Sequence, residues 1–126
     1  MRNKKLLVLL KRPGESFETV YFDFSAENML EYFGVDSLDK IVSMSCLLCK
    51  GASVFHTYSS NLNNCKVFNY VFDGALMFVG EKPNGTYCNI STRDIENIKR
   101  CTVDYVTPPK TKKKRLSWSR EFVWEV

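Results

Sequence analysis

The chain has 126 residues, of which 44% are apolar, 25% charged and 13% aromatic, the size and make-up of one domain. A domain of this size buries roughly two-thirds of the surface its unfolded chain exposes, so stability requires neither a metal nor a disulfide, and disorder throughout is excluded. The net charge of +4 is concentrated: Lys110, Lys112, Lys113, Lys114 and Arg115 put five positive charges into six residues, and the rest sums to −1.

Arg2, Lys4 and Lys5 precede the apolar run Leu6-Leu7-Val8-Leu9-Leu10. That run is shorter than the roughly 7–15 residues of a signal-peptide core, and Lys11-Arg12-Pro13 follows it in place of small residues. The expectation is a first strand over residues 5–11, buried on both faces, in a cytoplasmic protein whose five cysteines stay reduced. The sequons at Asn84 and Asn89 then read as turn chemistry.

Arg12-Pro13-Gly14-Glu15 is a turn, and residues 17–24 alternate as a strand with Val20, Phe22 and Phe24 on one face. Ser25 caps a helix over 26–33 that Gly34 closes. Strands are expected at 40–48 and 52–58, then a polar loop at 59–64. Residues 66–72 and 75–81 flank Asp73-Gly74, the dipeptide favoured in two-residue hairpins. Lys82-Pro83-Asn84-Gly85 turns into a short strand at 86–90. Ser91 caps a second helix to Lys99, with Asp94 three residues on. A strand at 101–106 ends at Pro108-Pro109, and residues 116–126 alternate again. The prediction is an α+β fold: a mostly antiparallel sheet of seven to eight strands with two short helices. It divides into a compact domain at 1–107, a basic Pro/Lys-rich loop at 108–115, and a terminal strand at 116–126. That strand belongs to the same domain or is swapped with a second copy, which would make a homodimer.

Catalytic constellations are not legible. His56 is the chain's single histidine and the six glycines are scattered, so neither a nucleophile pair nor a phosphate-cradling loop is indicated. No catalytic residue and no cofactor is expected. Cys46, Cys49, His56 and Cys65 form the one set with zinc-ligand chemistry. Leucines fill the gap between the first two cysteines, and the second pair is irregularly spaced, so buried, apolar cysteines are the competing expectation. Trp118 and Trp124 share a strand face beyond the basic run. With Lys110, Lys112, Lys113, Lys114, Arg115 and Arg120 they combine stacking surface with cations, the chemistry of a single-stranded nucleic-acid or nucleotide site. Core packing of the tryptophans and a solvated basic loop compete with that expectation, and a nuclear import signal is a further reading of residues 109–115.

The order strand, Arg12-Pro13-Gly14-Glu15, strand, then a helix carrying Leu30-Glu31-Tyr32-Phe33-Gly34, then Lys40-Ile41-Val42, resembles a group of small phage-associated proteins of unknown function. Leu76-Met77-Phe78-Val79-Gly80-Glu81 with Asn84-Gly85, and Asp94-Ile95 with residues 101–106, extend the resemblance over residues 5–106. It implies an accessory protein of a mobile element, with no catalytic residues to transfer. The resulting expectation is a non-enzymatic binding protein that blocks or sequesters a host component, including an antiviral-defence protein. Nucleic-acid binding and a small zinc protein are the alternatives.

Overall fold

The computed structural model describes residues 5–45, 51–57 and 63–104. In chain order these form β1 (Lys5–Lys11), β2 (Glu18–Asp23), α1 (Ala26–Phe33), a 3-10 turn (Leu38–Lys40), β3 (Ile41–Ser45) and β4 (Ala52–Thr57). β5 (Asn63–Val67), β6 (Tyr70–Glu81), β7 (Tyr87–Cys88), α2 (Thr92–Arg100) and β8 (Thr102–Asp104) follow. The eight described strands pair antiparallel throughout in one sheet, so the fold is α+β as expected.

Both helices start where the sequence places a cap. The Ser25 hydroxyl accepts the Asn28 N–H at 3.1 Å, and Ser91 accepts that of Asp94 at 3.1 Å. These bonds satisfy N–H groups that the first turn leaves without an internal partner. α1 ends at Gly34, whose φ of 68° is a left-handed conformation that suits glycine.

The period-2 alternation of β1 divides the core into two layers. Leu6, Val8 and Leu10 pack with Met77 and Val79 against Met29 and Phe33 of α1. Leu9 faces the other way, packing with Val54, Leu76 and Phe78 against Ile98 of α2. The sheet is therefore sandwiched between α1 and α2, and β1 is buried on both faces. Burying each such aliphatic side chain contributes about 1.5–3 kcal/mol, which is what fixes each short helix to its face.

β6 organises the sheet. One edge carries β4; the other carries β5 along Tyr70–Asp73 and β1 along Leu76–Phe78, so β5 and β1 lie end to end. This arrangement corrects the expected hairpin at Asp73-Gly74, because β6 passes straight through that dipeptide. The reversal occurs instead at Phe68-Asn69, between Val67 and its register partner Tyr70. Gly74 does have positive φ, 74°, but within the strand, where the registers of both β4 and β5 slip against β6. Its conformational freedom serves a bend where one edge partner gives way to the next. Asn63 and Asn64, expected in a loop, belong to β5. Described β3 ends at Ser45, short of the expected 48. The expectations for residues 46–48, 58–62 and 116–126 lie outside the described residues.

Candidate functional site

Where β5 and β1 abut, a polar group sits inside the sheet. Lys11, the final residue of β1, is 1% exposed, and its Nζ donates to Asn64 Oδ1 at 3.0 Å and to the Arg12 carbonyl at 3.1 Å. It also lies 2.9 Å from Asp104 Oδ1 of β8. Asn64 Nδ2 in turn donates to the carbonyls of Lys11 at 2.8 Å and Gly74 at 2.6 Å. One amide thus replaces the ladder bonds that the break between the strands removes, and one ammonium holds β8 in place. A buried cation requires this degree of satisfaction.

His56 and Cys65 are also packed away, whereas the free thiols of Cys88 and Cys101 are half-buried. His56 is buried edge-on against Phe72, with ring centroids 5.0 Å apart, and desolvation lowers its pKa below the usual imidazole value. Cys65 is fully buried; burial pushes its thiol up to about 11, although nearby Lys11 acts in the opposite sense. Thiolate and imidazolium forms are both disfavoured there.

Beyond the reach of α1, the sheet exposes apolar surface. Register places Val71, Lys66 and Val103 in a row across β6, β5 and β8, with Val71 59% and Val103 62% exposed. At the adjacent hairpin tip, Phe68 is held at φ 57° and half-exposed, and its N–H donates to the Cys101 carbonyl at 2.9 Å. A left-handed aromatic residue is unfavourable for an L-amino acid. Tyr70 is partly exposed beside the tip, and α2 ends at the same place with exposed Lys99 and Arg100. This end of the molecule interleaves the apolar side chains Val71, Val103 and Phe68 with the cations Lys66, Lys99 and Arg100.

A concavity lies beside β2. A cleft of about 420 Å³ is lined by Leu10, Arg12, Phe22, Asn28, Glu31 and Tyr32. The Arg12 guanidinium lies 4.9 Å over the Tyr32 ring and 3.5 Å from Glu18 Oε1. The Tyr32 hydroxyl donates to the Leu76 carbonyl at 2.7 Å, and burial raises its pKa.

Of the candidate metal- and nucleic-acid-binding residues, the structure describes only His56 and Cys65. Cys46, Cys49 and the cationic and tryptophan residues from Lys110 to Trp124 lie outside the described residues. Among those described, no group of three His, Cys, Asp or Glu side chains is placed to hold a metal, and no helix is long and apolar enough to cross a membrane. Sequence reasoning missed Lys11, Asn64 and the exposed row. A lysine closing an apolar strand was the one available signal for the first, because the partners of Lys11 are 53 and 93 residues away in sequence. Of the two sequons, Asn84 is turn chemistry as expected, its Oδ1 accepting the Thr86 N–H at 3.0 Å, whereas Asn89 Oδ1 accepts the N–H of Leu7 of β1, 82 residues away, at 2.8 Å and so serves a long-range tether. No protein-family model matches the chain, and no curated protein or solved structure matches it.

Proposed function

We propose that this protein is a non-enzymatic binding module that acts by covering the surface of another macromolecule. The accessory-protein resemblance of residues 5–106 supports a host or antiviral-defence component as its target, in the cytoplasm of the host cell. The single observation that carries the reading is the apolar end of the sheet: Val71 and Val103 flank Lys66 on a face that neither helix covers, beside half-exposed Phe68. Exposed apolar side chains grouped among polar ones are characteristic of interaction sites. The burial of His56, Cys65 and Lys11 supports binding over catalysis, since these three side chains are committed to the interior.

The test compares immobilised wild-type protein with Val71→Asp/Val103→Asp in capture from host lysate. Both positions are exposed, so the fold should persist. A macromolecule retained by wild type and lost from the variant supports the reading. Equal capture by both, or turnover of a substrate by the purified protein, overturns it.

A second reading, nucleic-acid binding, has its own support. Exposed Lys66, Lys99 and Arg100 surround this end, and the basic run begins six residues beyond Asp104. It requires single-stranded oligonucleotide affinity that falls steeply with salt and disappears when Lys110, Lys112, Lys113, Lys114 and Arg115 are neutralised. Affinity that survives neutralisation removes this reading.

A further inference from the structure

We infer that the cleft beside β2 receives this chain's own basic run, residues 110–115, laid along the open edge of β2. This does not depend on the identity of any external partner. The first support is the edge itself. β2 pairs with β1 on one side and, among the described residues, with no strand on the other. Apart from the Asp23 carbonyl, which accepts from the Ser25 N–H and Asn28 Nδ2, its outward backbone groups are open to a further extended segment, and the cleft beside β2 has apolar walls in Leu10, Phe22 and Tyr32.

Charge complementarity selects the occupant. From Arg12 to Glu31 the chain carries one cation and five carboxylates, Glu15, Glu18, Asp23, Glu27 and Glu31. All except Asp23 are exposed. Arg12 is already engaged, 3.5 Å from Glu18 and 4.0 Å from Glu15, and stacked on Tyr32. The surface is therefore left with excess negative charge. The run at 110–115 supplies five cations in six residues.

Topology delivers the run to this place. β8 lies outside β5 just as β2 lies outside β1, and β5 and β1 are end to end along β6. β8 therefore lies in line with β2. It also points the same way, since both oppose strands of one common direction. Asp104, where the described chain leaves β8, is level with Phe72 of β6, and Glu18 at the start of β2 is level with Met77, five positions further along the sheet. Lys110 follows six residues later, about 20 Å of extended chain at roughly 3.3–3.6 Å per residue. Individually weak exposed ion pairs suffice here, because a short tether holds the run at an effective concentration in the mM range.

Zero-length carbodiimide coupling of the full chain tests this directly. The reagent activates a carboxylate, a neighbouring lysine amine displaces it to form an amide, and the reagent departs as its urea. In dilute protein at low salt, the monomeric product should carry links from Lys110, Lys112, Lys113 or Lys114 to Glu15, Glu18 or Glu31. Links to exposed Glu96 on α2, which the same tether also brings within reach, should be about tenfold rarer, the preference that about 1.4 kcal/mol of seating beside β2 gives. The preference should collapse in about 1 M salt, where the screening length is about 3 Å. Links spread evenly over Glu96 and the β2 carboxylates overturn the inference. Links confined to a covalent dimer also overturn it, and assign the cleft to the basic run of a second copy.

Discussion

Lys11 and Asp104 close β1 and β8, the first and last described strands, and their side chains meet at 2.9 Å with the lysine 1% exposed and the aspartate 62% exposed. One partner is inside the sheet and the other at its surface, so the pair resembles a peg through a seam more than a surface salt bridge. Asn64 completes it, satisfying both the ammonium and two carbonyls.

Asn64→Ala should therefore destabilise the fold by about 2–4 kcal/mol, because it strands a buried cation and the Lys11 and Gly74 carbonyls together. Lys11→Met should cost much less, since it removes the charge and keeps the volume. Denaturant unfolding of the two variants checks the order, and a larger loss for Lys11→Met would show that the ammonium is itself a net stabiliser.

Phe68→Asn should raise stability by about 0.5–1 kcal/mol. The half-exposed ring contributes little burial, and asparagine tolerates the left-handed conformation that phenylalanine resists. The same variant should weaken capture of the proposed partner. A higher midpoint in thermal unfolding together with lower capture is the expected pair of results.

Gly80→Ala should be destabilising by about 1–3 kcal/mol, the usual range for overpacking. A Cβ there would collide with the Asn89 carbonyl, in the segment that tethers β1 through the Ile90 N–H to the Leu7 carbonyl at 3.0 Å. Neither partner is a flexible side-chain end, so the backbone itself must move. Thermal unfolding of this variant against wild type measures the cost.

Stability should also depend on pH at both extremes. Burial raises the Cys65 thiol from 9.0 to about 11 in the fold, so the native state holds this proton when the unfolded chain has lost it. The associated stability is complete below pH 9 and is lost as pH rises from about 9 to about 11. His56 behaves in the opposite sense: burial lowers its pKa from 6.5, so the unfolded chain takes up the proton first and stability falls as pH drops below 6.5. Cys65→Ala should flatten the alkaline limb in chemical denaturation, and His56→Gln the acid limb. A limb that keeps its slope in the corresponding variant assigns it to other groups.

Local chemistry was legible in the sequence wherever neighbouring residues decide the outcome. The serine caps at 25 and 91, the glycine that ends α1, the alternation of β1 and β2, and the antiparallel α+β class all follow from short-range hydrogen bonding and side-chain periodicity. Tertiary structure decided the rest. Asp73-Gly74 has the composition of a hairpin, yet the chain reverses at Phe68-Asn69, because β6 can pair with both β5 and β1 only if it continues past Gly74. Lys11 ends an apolar run as any solvated lysine would, and it is interred only because Asn64 and Asp104 arrive from distant strands to bond it. Burial is a property of the assembled sheet: the same valine is core at position 8 and open surface at position 103, according to whether a helix lies over it.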